Sequence, residues 1–150
     1  MALLFTPDLP AWGAARVGLG FVGMGNASVS VYALHPLELE LGTEGSLGHN
    51  GWTARAGPAL HVLDRRNEQG RGLTVHAPMM VGYRYLNFGR EHPGHALTLT
   101  PTLTSSVWLA SHLALELSLT TGVNITVADR SGGLGTPLLP DIKLQAGLAF

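Results

Sequence analysis

The sequence predicts an all-β protein, an eight-stranded antiparallel up-and-down transmembrane β-barrel in which residues 1–150 form a single domain. Apolar residues recur with period two through most of the chain, which is the periodicity of a strand with two different faces. Only 13% of the residues are charged and the mean hydropathy is +0.21, whereas soluble domains carry about 25% charged residues. No segment approaches the roughly 18 uninterrupted apolar residues of a membrane helix. A hydrophobic chain with alternating segments and no such run is typical of a membrane barrel.

Eight alternating segments are visible between the glycines and prolines that interrupt the chain. The segment 113–127 is the clearest, because seven leucine, isoleucine and valine side chains share one face and small or polar residues share the other. Most segments reach the 9–11 residues that a tilted strand needs to span a bilayer. The predicted strands are residues 13–23, 28–34, 37–47, 52–63, 73–86, 97–109, 113–127 and 138–150.

The last predicted strand carries the most specific signal. Its outward positions are apolar and alternate with lysine, glutamine, glycine and alanine, and the strand ends on an aromatic residue. Such a strand is typical of the C-terminal assembly signal of outer-membrane barrels. The residues assigned to this signal are Ile142, Leu144, Ala146, Leu148 and Phe150.

The connecting segments indicate an orientation for the barrel. An even number of strands places both termini on one side, taken as periplasmic, together with the connectors 35–36, 64–72 and 111–112. The connectors 25–27, 48–51, 87–96 and 129–137 then face outside. Aromatic residues fall near both predicted ends, as expected for two interfacial bands. The predicted interfacial aromatics are Trp12, Tyr32, Trp108 and Phe150 at the periplasmic end, and Trp52, Tyr83, Tyr85 and Phe88 at the outer end.

Three prolines fall inside consecutive predicted strands. Proline cannot donate a hydrogen bond to a ladder, and a closed barrel has no free edge to accommodate it. We therefore expect bulges or strand ends at Pro58, Pro78 and Pro101.

The chain resembles the small eight-stranded outer-membrane barrels of the OmpA/OmpX type over nearly its whole length. The resemblance rests on the strand ending at Phe150 and on the run 32–42 (YALHPLELELG), in which an aromatic residue precedes a short proline turn and an alternating strand. It implies a bacterial outer-membrane location, the lipid bilayer as surroundings, and recognition of the C-terminal strand by the barrel assembly machinery. We expect a monomer in its mature form, with the signal peptide absent from this chain.

The polar face of the predicted strands carries charges of both signs in near balance. An eight-stranded barrel is just wide enough for side chains to fill it, and an unpaired buried charge costs several kcal/mol. We therefore predict a salt-bridged, side-chain-filled lumen with a structural or surface-interaction role. The predicted lumen charge network is Arg16, Glu38, Glu40, Glu44, Arg55, Arg84, Glu116 and Lys143.

Three other functions stay open at this stage: a narrow channel or transporter, a lipid-modifying membrane enzyme, and a soluble lipocalin-like barrel. Glu116 or Glu38 beside His61 or His76 would be the acid/base or ion-conducting group. Lipid deacylases of this size place histidine and serine two residues apart on one strand, and no such pair occurs here. The lipocalin alternative requires the leucines of segment 113–127 to point inward.

Cofactors and other ligands leave little trace in the sequence. The chain has no cysteine, which excludes disulfide and thiolate-metal frameworks, and its net charge of −1 does not favour nucleic acid. The loop residues Glu91, His92 and His95 are more typical of a polar turn than of a metal site. We expect no cofactor, no metal and no catalytic residue.

Overall fold

The strands of the protein form one closed antiparallel barrel with sequential strand order. The structure, a computed structural model, describes residues 12–20, 24–34, 37–46, 49–87, 93–129 and 138–150. The closed barrel confirms the eight-stranded all-β fold class. No helix in the described residues is long and apolar enough to cross a membrane. The strands are β1 (Gly13–Gly20), β2 (Gly25–Leu34), β3 (Leu37–Ser46), β4 (His49–Arg66), β5 (Gly72–Asn87), β6 (Pro93–Ala110), β7 (Leu113–Asp129) and β8 (Leu138–Ala149).

The barrel closes between β1 and β8. Their ladder runs from Ala14 paired with Ala149 to Gly20 paired with Lys143. Beyond it, the Gly13 and Phe150 amides donate to each other's carbonyl oxygens at 3.0 and 2.9 Å. Because each strand then has two neighbours, the barrel as a whole has no free sheet edge. We call the end where Gly13 meets Phe150 the terminal rim, and the opposite end the far rim.

Alternation along each strand separates an apolar outer face from a polar interior. In β7, Glu116, Ser118 and Thr120 are buried while the intervening leucines are exposed. The soluble lipocalin alternative is therefore wrong, because it required the opposite orientation. The outward leucines of β7 and their exposed fractions are Leu113 (37%), Leu115 (51%), Leu117 (55%) and Leu119 (46%).

The prolines of β5 and β6 do not shift the register, contrary to expectation. The β5–β6 ladder keeps one register from Gly72–Trp108 to Asn87–Pro93 and includes the pair Met79–Pro101. Pro78 pairs with Ala59 in the β4–β5 ladder. On the β7 side of Pro101, the two pairs between Leu99–Val123 and Thr102–Thr120 are missing, and the register is the same before and after them. Local loss of pairs therefore accommodates the missing donors. Pro58 behaves as expected and stands at the end of the β3–β4 ladder.

The turn between β4 and β5 is the longest of the described turns at the terminal rim. The Asn67 amide donates to the Arg71 carbonyl at 2.8 Å, and the Asn67 Oδ1 accepts from the amides of Gln69 and Arg71, both at 3.0 Å. Gly70 lies at φ 75°, in the left-handed region that favours glycine. This turn has a defined backbone shape although its side chains are exposed.

Gly57 is a position where the barrel wall leaves no room for a side chain. A Cβ atom there would lie 1.9 Å from the Met79 carbonyl oxygen. We expect Gly57→Ala to lower the free energy of unfolding by about 1–3 kcal/mol, because the two strands must separate locally. The midpoint of denaturant unfolding in detergent micelles measures this change.

Gly25→Ala is the matched control for Gly57→Ala. The nearest atom to a Cβ at Gly25 is the Gly45 carbonyl oxygen at 3.6 Å, which is ordinary contact. We expect a change within about 0.5 kcal/mol for this variant. Equal unfolding midpoints for the two variants would contradict the packing described for β4 and β5.

Candidate functional site

The candidate site is the charged interior, where the structure places all eight residues of the predicted lumen network. Each of these side chains is buried, with at most 8% of the residue exposed, and each makes an ion pair inside the barrel. They come from six strands, because the alternation of β1, β3, β4, β5, β7 and β8 turns them all inward. The barrel thus brings together residues that are far apart in the sequence.

Arg16 is the centre of the network nearer the terminal rim. Its Nε donates to Glu116 Oε2 at 2.9 Å, and its Nη1 lies 3.1 Å from Glu38 Oε1 and 3.4 Å from Glu40 Oε2. It also donates to Ser30 Oγ at 2.6 Å and to the Tyr32 hydroxyl at 3.2 Å. One guanidinium on β1 therefore connects β2, β3 and β7 across the lumen.

Arg55 extends this network toward the middle of the barrel. It forms an ion pair with Glu40, to which its Nε donates at 3.0 Å, and its Nη1 donates to Thr100 Oγ1 at 3.0 Å. Glu40 therefore accepts from both Arg16 and Arg55. Because charge-assisted hydrogen bonds are stronger than neutral ones, this shared carboxylate links β1, β3 and β4.

A second network lies nearer the far rim and centres on Glu44. Lys143 Nζ lies 2.8 Å from Glu44 Oε1, and Arg84 pairs with the other carboxylate oxygen. Asp141 Oδ1 lies 3.7 Å from Arg84 Nη1, and Asp141 Oδ2 lies 3.8 Å from Lys143 Nζ. Sequence reasoning missed Asp141, although it shares the inward alternation of Lys143 and Gln145 on β8. With it, five buried carboxylates face four buried cations among the described residues.

Two predicted interfacial aromatics lie inside the barrel, which corrects the sequence-based assignment. Trp108 is 4% exposed and its Nε1 donates to Thr74 Oγ1 at 2.8 Å. Tyr32 packs against the buried cluster that Trp108 forms with Ala14, Ala114 and Ala149. Both fall on the inward alternation of their strands, and that pattern, rather than closeness to a strand end, decides which way they point. They fill the lumen next to the terminal rim.

The other described aromatics face outward. Trp12 and Phe150 meet edge to face at the terminal rim, with ring centroids 5.2 Å apart. Near the far rim, the Trp52 ring centroid lies 5.4 Å from that of Tyr83 and 6.2 Å from that of Tyr85. Phe88 lies outside the described residues. The structure thus has one outward aromatic group at each end.

The C-terminal strand presents its apolar side chains on the outer face. β8 pairs with β7 through its whole length and closes the barrel against β1. Its inward residues Lys143 and Gln145 are buried. The outward residues are those assigned to the assembly signal: Ile142, Leu144, Ala146, Leu148 and Phe150.

The two histidines considered for acid/base chemistry lie inside the barrel, next to each other and, for His76, next to Tyr32. His61 and His76 face each other across β4 and β5 with ring centroids 6.3 Å apart. His76 Nε2 lies 3.4 Å from the Tyr32 hydroxyl, while Glu116 is held by Arg16 and by Ser106 Oγ at 3.1 Å. Among the described residues, no cluster of histidine, aspartate and glutamate is arranged to hold a metal. Glu91 and His92 lie outside them, and His95 contacts Tyr83.

Solved structures share the fold, including the following two. The chain is similar to the crystal structure of Neisserial surface protein A, with a TM-score of 0.60 and 8% identity over 91% of each chain. It is also similar to the N-terminal β-barrel domain of Pseudomonas aeruginosa OprF, with a TM-score of 0.53 and 14% identity over 92% of this chain and 95% of that one. No family model and no curated protein matches the sequence. At these identities the likeness establishes the eight-stranded barrel fold.

Removal of Arg16 tests the energetic weight of the interior. Arg16→Met keeps an unbranched side chain but leaves Glu38 and Glu116 without their cation, so we expect a loss of about 3–5 kcal/mol in the free energy of unfolding. Arg71→Met, at an exposed position, serves as control with an expected change within about 0.5 kcal/mol. Denaturant titration in micelles compares the two. Similar midpoints would contradict a central role for Arg16.

Proposed function

We propose that this chain is a monomeric integral barrel of the bacterial outer membrane whose lumen is closed by buried ion pairs. We further propose a structural or surface-interaction role rather than catalysis. The observation that carries the proposal is the polarity of the barrel, in which leucine and valine cover the outside while arginine, lysine and glutamate fill the inside. The similarity in fold to Neisserial surface protein A supports a surface-interaction role.

The outer face supports the bilayer as the surroundings of the barrel. Valine, leucine and isoleucine side chains on all eight strands are outward, and many have about half of their surface exposed. In water such a face would be a far larger apolar patch than the few hundred Å² usual for soluble monomers. The hydrocarbon core of a membrane removes that cost, and the outward aromatic groups at the two rims fit its interfaces.

The interior supports a closed lumen. The space between Glu40, Glu44, Arg55 and Lys143 admits no water-sized sphere, and Trp108 and Tyr32 fill the interior nearer the terminal rim. An ion crossing the barrel would have to separate charge pairs that are held at hydrogen-bond distance in a poorly hydrated interior. Because breaking a buried pair costs several kcal/mol, we expect no steady conductance.

The arrangement of the carboxylates argues against an enzyme that modifies lipids. Glu38 and Glu116 are engaged by Arg16 inside the barrel, whereas a lipid substrate would meet the outer face. We therefore assign a structural role to the buried charges of the lumen.

The terminal rim is proposed to face the periplasm. The C-terminal strand would then present its outward residues, including Leu148 and Phe150, to the barrel assembly machinery during insertion. Since β8 also closes the barrel against β1, recognition of this strand would precede the final pairing step.

Conductance of the reconstituted barrel tests the closed lumen. The protein is refolded in micelles, with the shift of gel mobility on heating as proof of folding, and incorporated into planar bilayers. We expect no single-channel events for the unaltered protein. The double variant Arg16→Ala and Arg55→Ala should conduct, because it removes two cations that fill the lumen, whereas Arg71→Ala should stay silent.

Steady channels in the unaltered protein would overturn the closed-lumen proposal in favour of the narrow-channel alternative. Folding in plain buffer without micelles, as a soluble monomer, would overturn the membrane proposal itself.

A further inference from the structure

The hairpin of β4 and β5 extends farther at the terminal rim than the neighbouring β3. The β3–β4 ladder ends at the pair Leu37–Pro58, whereas β4 continues to Arg66 and stays paired with β5 up to Arg66–Gly72. Residues 59–66 therefore extend beyond β3, and together with residues 72–76 of β5, which also pair with β6, they form a projection on one side of the barrel. Its tip is the hydrogen-bonded turn around Asn67.

Two adjacent arginines on this projection face opposite ways. Arg65 pairs with Leu73, which in turn pairs with Val107, and both of these apolar side chains lie on the outer face with 38% and 51% of their surface exposed. Arg65 is also exposed and shares their alternation. Arg66 lies on the inward alternation, with its guanidinium 5.7 Å from the centroid of the Trp108 ring. Only Arg65 therefore stands at the border of the apolar outer face.

The projection and its turn carry a net charge of +1, with Arg65, Arg66 and Arg71 against Asp64 and Glu68. Arg66 donates to both oxygens of Asp64, at 2.9 and 3.1 Å. The negative charge of Asp64 is therefore paired with the positive charge of Arg66. Arg71 is exposed, and its backbone is fixed by the carbonyl and side-chain contacts of Asn67. Glu68 is the other acidic residue of this turn.

We propose that Arg65 and Arg71 bind the headgroup phosphate of an anionic phospholipid in the periplasmic leaflet, with its acyl chains against Leu73 and Val107. An arginine at the edge of an apolar surface keeps its stem in contact with hydrocarbon while the guanidinium reaches the phosphates. A guanidinium binds phosphate with paired hydrogen bonds, and each basic residue near an anionic surface contributes to attraction. The site goes beyond the closed-lumen proposal and rests on the proposed membrane location and on the proposed periplasmic orientation of the terminal rim.

Native mass spectrometry of the folded barrel in micelles tests this site. Phosphatidylglycerol and, separately, phosphatidylcholine are titrated, and the bound lipid is counted. We expect preference for phosphatidylglycerol, which Arg65→Gln and Arg71→Gln each weaken about fivefold, equivalent to about 1 kcal/mol per arginine. Arg66→Gln is the matched control, because it removes the same charge one residue away on the opposite face.

Each other result counts against the proposal. It is overturned if the unaltered barrel shows no preference for phosphatidylglycerol, or if Arg65→Gln binds it as tightly as the unaltered barrel. An equal loss in Arg66→Gln would also overturn it, since net charge alone would then explain binding. Inorganic phosphate at equal concentration should not displace the lipid, and displacement would assign the site to free phosphate. Conductance through the lumen would not change the lipid count, so the two proposals fail separately.

Discussion

Closure of the ladder between β1 and β8 is the constraint on which the rest of the structure depends. Once every strand has two neighbours, alternate side chains must point into an interior only wide enough to hold them. Any cation placed there needs a carboxylate within reach, because an unpaired charge is costly in a medium of low polarity. The pairings of Arg16, Arg55 and Lys143 therefore follow from closure as much as from the residues themselves.

The filling of the interior changes along the barrel axis. Nearer the terminal rim, Trp108 packs with three alanines and Tyr32, and the Tyr32 hydroxyl accepts a hydrogen bond from Arg16. Nearer the far rim, Glu44 lies between Arg84 and Lys143. The first group connects β1, β2, β3 and β7 through one side chain, so losing it would loosen several strands at once. The second connects three strands, β3, β5 and β8, through Glu44, and its fourth charged residue, Asp141, lies farther from its cations, at 3.7 and 3.8 Å. Stability is thus expected to be concentrated toward the terminal rim.

The alternation of the sequence was enough to predict the strand number, the fold and the side of the wall on which each of the eight network residues lies. The same rule applied to β8 would have included Asp141, and applied to Tyr32 and Trp108 would have placed them inside; nearness to a predicted strand end was the misleading signal. The individual ion pairs could not be predicted, because they depend on the stagger between strands. Arg16 and Glu116, for example, are 100 residues apart. Pro78 and Pro101 were misjudged because a ladder can lose two consecutive pairs without a shift of register.

The most direct test of the inverted polarity is quenching of tryptophan fluorescence by brominated phospholipids. The chain has three tryptophans, of which Trp12 and Trp52 face outward and Trp108 lies in the lumen. The variant Trp12→Phe with Trp52→Phe leaves Trp108 as the sole reporter. In vesicles containing brominated chains, we predict strong quenching of the unaltered barrel and little quenching of this variant. Equal quenching of both would contradict the assignment of an apolar outer face and a filled interior.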